Sequence, residues 1–313
     1  MLVERLKSAI KWLGAILALA AIAFVVHRLW AQFSALPAGT LETAWPGLLL
    51  ASLGYAGCGV FLALIWWLAL RAAGFRSASF SRSASAFFSS QLGKYLPGNV
   101  GHFAARHVLT RREGVGHRAL VAATLLEALL LVAAAGGLAV LVIQKMISGG
   151  LEKVLEAVWL APVAAVIALV LGLAVARRKG WLDSSLGLSR LSLELGAAFC
   201  LALVFFLAGS GCFILMSTAL GAGDWLALVP WVAAAWLLGF LIPGAPGGLG
   251  IREFVLVIGL TPMVGDGQAA LDALLFRLVT VGGDVLMSIT GTIWLRLQAK
   301  IPIKAPSKAP TRE

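Results

Sequence analysis

Gln91-Leu-Gly-Lys-Tyr-Leu-Pro-Gly-Asn-Val-Gly-His102 decides how this chain is read. It sets a lysine, a Pro-Gly pair and two further glycines inside an apolar run. Proline removes a backbone donor and its ring clashes with the preceding turn, so a helix breaks here. A second apolar run breaks in the same way at Leu241-Ile-Pro-Gly-Ala-Pro-Gly-Gly-Leu-Gly-Ile-Arg-Glu253. Both carry Pro-Gly-x-x-Gly, as Pro97, Gly98 and Gly101 in the first and Pro246, Gly247 and Gly250 in the second.

The runs around these breaks are those of a membrane protein. The 313 residues are 60% hydrophobic and 12% charged, with a mean hydropathy of +0.96. A soluble domain is about a quarter charged. The net charge of +11 lies in short loops beside apolar runs, the placement expected of cytoplasmic loops. It is not gathered into a nucleic-acid-reading surface, so no nucleic-acid partner is expected. Cys58, Cys200 and Cys212 sit in apolar runs without CxxC spacing, which speaks against a disulfide framework. His102 and His107 have no acidic partner at metal-ligand spacing, so no metal is expected. No Ser/His/Asp pattern or nucleotide-binding loop is present, so the chain reads as neither an enzyme nor a cofactor binder. The first apolar run, Ile10 to Val26, has no small-residue cleavage site after it and reads as a retained helix.

Charge placement sets the expected topology. Spans are predicted at about 10–30, 45–70, 119–143, 159–176, 196–220 and 269–295. The segment from Ser83 to Leu109 holds the first break, and after that break come Arg106, Arg111, Arg112 and Arg118. A full crossing there would put this cluster outside. A hairpin that enters and returns to one face keeps it cytoplasmic, so two half-helices broken at Pro97-Gly98 are predicted. The loop after the second broken segment, Trp225 to Leu260, holds Asp266 and Asp272 and no lysine or arginine, so that hairpin reads as entering from outside. Under this arrangement 19 of the 25 lysines and arginines lie inside, three outside and three in membrane segments. The expected fold is therefore all-α, with six full spans and two re-entrant helical hairpins. It forms one membrane domain over 1–297, and a basic tail, 298–313, reads as cytoplasmic and disordered. Both termini are expected to be cytoplasmic, in a multi-pass protein of the inner (cytoplasmic) membrane.

The two motifs are 149 residues apart. Adding that offset maps the first-half spans onto those of the second, which defines repeats of about 8–147 and 157–297. Three crossings per repeat is an odd number, so the second repeat is inverted. Secondary transporters share this design, and paired breaks at corresponding positions point to their binding site.

After each break a new half-helix presents unpaired N–H groups and the positive end of its dipole. Glycines let an anion approach that backbone closely. The expected headgroup-binding set is Lys94, Tyr95, Pro97, Gly98, Asn99, Gly101 and Arg106 with Pro246, Gly247, Gly248, Gly250, Arg252 and Glu253. The alternative is that these glycines serve close packing and these arginines mark the interface. Glu127, Arg277 and Asp284 form a membrane charge network. Glu127 is expected to face Arg277 across the pseudo-twofold axis, since 127 offset by 149 falls beside 277. Arg277 and Asp284, two turns apart, share a face. Ion pairs that hold the bundle and an ion-coupling role for Glu127 or Asp284 both remain open.

Lys94-Tyr-Leu-Pro-Gly-Asn-Val-Gly101 with Arg106, and Pro246-Gly-Gly-Leu-Gly-Ile-Arg-Glu253, resemble the two signatures of the flippase-like membrane domain of lysylphosphatidylglycerol synthetases, the multiple peptide resistance factors. The resemblance covers about residues 5 to 297. It implies movement of a lipid between leaflets and does not name the lipid; the expected partner, an anionic phospholipid or a polyprenyl-phosphate-linked lipid, follows from the anion-binding reading of the two breaks. The synthetases add a soluble domain, and the expectation here is a stand-alone form without it, so lysyl transfer is not implied. The alternative functions are a non-catalytic membrane subunit that serves a separate lipid-modifying enzyme, and an integral-membrane lipid transferase with Glu127 or Glu253 as base.

Overall fold

The computed structural model describes residues 39–96, 99–148, 178, 188–217, 220–221, 224–242 and 245–299. Within them the chain is helical. Helix α1 is Thr40–Ala72, and α2 is Phe80–Ser89, followed by a 3-10 turn at Gln91–Tyr95. Then come α3 at Gly101–Arg111, α4 at His117–Ser148 and α5 at Leu188–Met216. Helix α6 is Trp225–Leu241, with a 3-10 turn at Pro246–Gly248 after it. Helix α7 is Ile251–Val264 and α8 is Asp266–Ala299.

Four of the six predicted spans fall on described residues and appear as α1, α4, α5 and α8. The spans at 10–30 and 159–176, and the tail from 300 onward, lie outside the described residues. Helix α5 starts eight residues before its predicted span and stops four before its predicted end. Its early turns are tied to α1 by Glu194, which accepts from Arg71 Nε and Nη2 at 3.1 and 2.9 Å.

Five described segments are long and apolar enough to cross a membrane, and one is Pro246–Val264, which the sequence assigns to a hairpin arm. This segment is not one straight helix. Gly247, Gly248 and Gly250 all have positive φ (59, 74 and 84°), a conformation that glycine adopts without a Cβ penalty. The continuous helix α7 has 14 residues, about 21 Å. The arms of the first broken segment, α2 and α3, have 10 and 11 residues, about 15 and 17 Å. A hydrocarbon core is about 30 Å thick.

The 149-residue offset holds element by element. It carries α1 onto α5, α2 onto α6, α3 onto α7 and α4 onto α8, and His117 lands on Asp266, the first residue of α8. The packing follows the same exchange. Helix α2 packs on α8, and α6 packs on α4. Helix α1 meets its own counterpart α5, and the two 3-10 turns meet each other. Each broken segment therefore rests on the long helix of the opposite half.

Close approach, rather than large side chains, holds these contacts. Apolar surface gains little from burial when the solvent is lipid, so backbones must come near one another. A Cβ on Gly283 would lie 2.7 Å from the Tyr55 ring, and one on Gly291 would lie 2.4 Å from the Ser89 nitrogen. These glycines seat α8 against α1 and α2. Trp45, Leu49, Leu53, Leu193, Phe254 and Ile293 face outward, as lipid-facing side chains do.

Candidate functional site

The first break closes tightly. A Cβ on Gly101 would lie 2.4 Å from the Gly93 carbonyl oxygen, and one on Gly93 would lie 2.6 Å from the His102 nitrogen. Both glycines are spent on bringing the arms together. Asn99 takes the left-handed conformation (φ 54). Pro97 and Gly98 lie outside the described residues.

This turn is bolted to α8. Lys94 Nζ donates to Asp284 Oδ1 at 2.6 Å, and the Tyr95 hydroxyl donates to Asp284 Oδ2 at 2.6 Å. One turn further on, Ser288 Oγ accepts from the Leu92 N–H at 3.2 Å and donates to the Phe88 carbonyl at 3.3 Å. The Tyr95 ring lies against Gly247, where a Cβ would come within 2.6 Å of it. The two turns thus meet.

The second turn is held by the same helix. Arg277 Nη1 donates to the Gly247 carbonyl at 2.9 Å, and its Nε lies 3.4 Å from Glu253 Oε1. Glu253 Oε2 accepts from the Gly250 N–H at 2.6 Å, the glutamate half of a capping box on α7. The chain's own carboxylate therefore takes one of the N–H groups at the helix N-terminus expected to receive an external anion.

Arg106 is 1% exposed. Its guanidinium makes two bonds to Glu127, Nη1 to Oε1 at 2.9 Å and Nη2 to Oε2 at 2.5 Å. It also lies over the rings of Trp66 and Phe87, at 4.0 and 4.8 Å. A planar fork matched to a carboxylate and covered by aromatic faces is a closed structural unit. The expected facing of Glu127 and Arg277 is corrected by these contacts. Glu127 holds Arg106 within its own half, and Arg277 holds Glu253 within the other. In a bilayer a buried charge takes a nearby opposite charge, and for Glu127 and Arg277 that charge lies on the adjoining arm of the broken segment.

Lys94, Arg106 and Arg277 thus have internal partners, and Arg252 has none. No hydrogen bond or ion pair reaches it among the described residues, and its Nε is buried without an acceptor. It lies in a slot cut by two glycines. A Cβ on Gly239 would lie 2.7 Å from Arg252 Cγ, and one on Gly248 would lie 2.6 Å from Arg252 Nε.

Two cavities meet at this side chain, with Arg252, Tyr55, Phe205 and Trp236 in the wall of both. The first encloses about 480 Å³ of empty space, mouth included, and its wall is mainly apolar, with Phe206, Val232, Leu256 and Phe276. The second encloses about 590 Å³ and is more polar, with Gln91, Lys94, Asn99 and His102. Of the predicted site residues, Lys94, Asn99, Glu127, Arg252, Glu253 and Arg277 line one cavity or the other.

Sequence reasoning missed Tyr55. Its hydroxyl has no hydrogen-bond partner among the described residues, and it shares the walls of both cavities with Arg252. No local pattern in the sequence marks it. Asp272 was placed in an outer loop. The structure sets it in the second turn of α8, fully buried.

The chain belongs to the lysylphosphatidylglycerol synthase transmembrane-region family, whose model matches residues 11–287. No curated protein sequence matches it.

Proposed function

We propose that this protein moves an anionic lipid between the leaflets of the cytoplasmic membrane and holds the headgroup at Arg252, between the two broken segments. The observation that carries this reading is the unpartnered Arg252 at the junction of two cavities. A guanidinium held in a membrane bundle without a counter-charge is costly. It is also the group best shaped to bind a phosphate through two parallel N–H bonds. The Tyr55 hydroxyl adds a donor from the facing wall. The aromatic and aliphatic cavity on one side suits lipid tails, and the polar cavity on the other suits the rest of a headgroup.

On this reading the broken segments are re-entrant hairpins that enter from opposite faces. The arms α2 and α3 are each too short to cross, and the packing repeats under exchange of the halves, which supports that reading. Six full crossings and cytoplasmic termini complete it. The protein acts as a transporter and not as a transferase. Glu127 and Glu253, the carboxylates that could serve as a base, are held by Arg106 and Arg277. Phospholipids and polyprenyl-phosphate-linked lipids share the phosphate that Arg252 would bind, and both are candidate cargo.

The test is lipid movement in proteoliposomes, using labelled phosphatidylglycerol, phosphatidylcholine and a polyprenyl phosphate. Wild-type protein is expected to move at least one of the anionic lipids. Arg252→Ala is expected to lower that rate by about tenfold or more, the equivalent of about 1.4 kcal/mol or more, without lowering thermal stability. Equal rates for wild type and Arg252→Ala, or no movement of any anionic lipid, would overturn the reading.

A further inference from the structure

Three carboxylates are buried among the described residues: Glu127, Asp272 and Asp284. Glu127 is paired with Arg106, and Asp284 with Lys94. Asp272, with no exposed surface, has only neutral partners among the described residues. Ser217 Oγ donates to its Oδ2 at 2.7 Å, and Gln268 Nε2 donates to its Oδ1 at 2.9 Å.

The charged and titratable groups on the elements packed against α8 do not supply a counter-charge. On α7, Arg252 lies in the cavity wall and Glu253 is bound to Arg277. On the first 3-10 turn, Lys94 and Tyr95 are committed to Asp284. Among the described residues, helix α1 has exposed Glu42, Tyr55 at the cavity junction, Cys58, and Arg71 held by Glu194; α2 has only Arg82; and α5 has Glu194, Arg190, exposed Cys200 and Cys212. On α8 itself Asp266 and Arg296 are exposed and Arg277 faces the second turn. The helix dipole weakens beyond the first turn, and Asp272 is six residues past the start of α8.

A carboxylate in this position needs a bound cation or a proton. Both neighbours present hydrogens to it. A metal ion needs several lone-pair donors around it, whereas a proton needs one oxygen. Asp272 also stands where its charge state matters to the cavity. The next residue, Ala273, lines the Arg252 cavity, as do Phe205, Phe206 and Gly209 of α5. The Ser217–Asp272 bond joins the end of α5 to α8, so it joins two walls of that cavity.

We propose that Asp272 is a proton-binding site that couples lipid movement to the proton gradient across the membrane. The coupling rests on the transport reading above. The proton occupies Asp272 while the α5–α8 joint is closed, and it leaves when the joint opens to water.

Two measurements on the full chain test this. The first is infrared spectroscopy of the purified protein in detergent during a pH titration. It should show the carbonyl stretch of a protonated carboxylic acid that persists to neutral pH. Asp272→Asn should remove that band, and Ser217→Ala should shift it without touching the carboxyl, which keeps the test open if Asp272→Asn does not fold. No such band at neutral pH, or a band that neither variant alters, overturns the proton site. The second measurement is lipid distribution in proteoliposomes under an imposed gradient. About one pH unit should drive up to about tenfold lipid asymmetry per proton in wild type. Asp272→Asn should move lipid only to an even distribution. Asymmetry of equal size in Asp272→Asn, none in wild type, or asymmetry driven by sodium and not by protons overturns the coupling. If lipid does not move in any sample, the transport reading fails and the coupling with it, while the infrared result still decides the proton site.

Discussion

The two halves hold the same ion pair with the charges exchanged. In the first, an arginine on the short arm α3 meets a glutamate on the long helix α4, Arg106 to Glu127. In the second, a glutamate on the arm α7 meets an arginine on α8, Glu253 to Arg277. Each residue falls within two positions of its partner's place under the 149-residue offset. The halves share the position of the pair and not its polarity. Sequence symmetry alone would set Glu127 beside Arg277, and the structure keeps these two pairs each within its own half, while Lys94 crosses to Asp284. The second difference is in what each tip leaves free. The first tip spends its lysine on Asp284, whereas the second leaves Arg252 unspent. The repeat builds the frame, and the departures from it carry the chemistry.

Removing one partner of a pair should break this comparison most sharply. Arg106→Ala strands a buried Glu127 and should cost about 3–5 kcal/mol, read as a loss of thermal stability in detergent. The double variant Arg106→Glu, Glu127→Arg gives the first half the polarity of the second and should recover most of that loss. If the double variant is no better than the single one, the two halves are not interchangeable frames. Asp284→Asn should cost about 3 kcal/mol, the low end of the same range, since the Lys94 side chain is 16% exposed. It also leaves Lys94 as a second free cation. Calorimetry with a short-chain phosphatidylglycerol should then show tighter anion binding, and unchanged affinity would mean that Lys94 does not reach the site.

A smaller effect is expected at the slot. Gly248→Ala puts a Cβ at a positive-φ position against Arg252 and should cost about 1–3 kcal/mol of stability. It should weaken anion binding while the three buried ion pairs remain. Smallest is Arg71→Ala. This pair joins α1 to α5 where Arg71 is 31% exposed. Its loss should stay below about 1 kcal/mol and leave lipid movement unchanged. A larger cost would mean that the α1–α5 contact depends on this pair more than on close packing.

Much of this frame could be read from residue order. The Pro-Gly-x-x-Gly pairs marked both breaks, and the offset between them located four pairs of matching elements. What the sequence misjudged was the use of particular residues. Gly101 reads as a place for a headgroup to approach, yet it is where two helical arms touch. Glu253 reads as a ligand contact, yet it caps its own helix. Asp272 lies beside other loop-like residues and reads as outer loop. It is buried, and one of its hydrogen-bond partners, Ser217, lies 55 residues earlier in the chain, which no local pattern records.

The sequence by itself determined that the chain is helical and lives in a membrane, where it breaks, and that it repeats. These properties follow from local hydropathy, from the backbone demands of proline and glycine, and from the register of one half on the other. Tertiary structure alone decided which charges neutralise one another. Seven ionisable side chains, Lys94, Arg106, Glu127, Arg252, Glu253, Arg277 and Asp284, come together near the two breaks. Pairing among them depends on distances of a few ångströms in a low-dielectric interior, where each charge must find a counter-charge or stand alone. Three pairs close, and Arg252 is the charge left over.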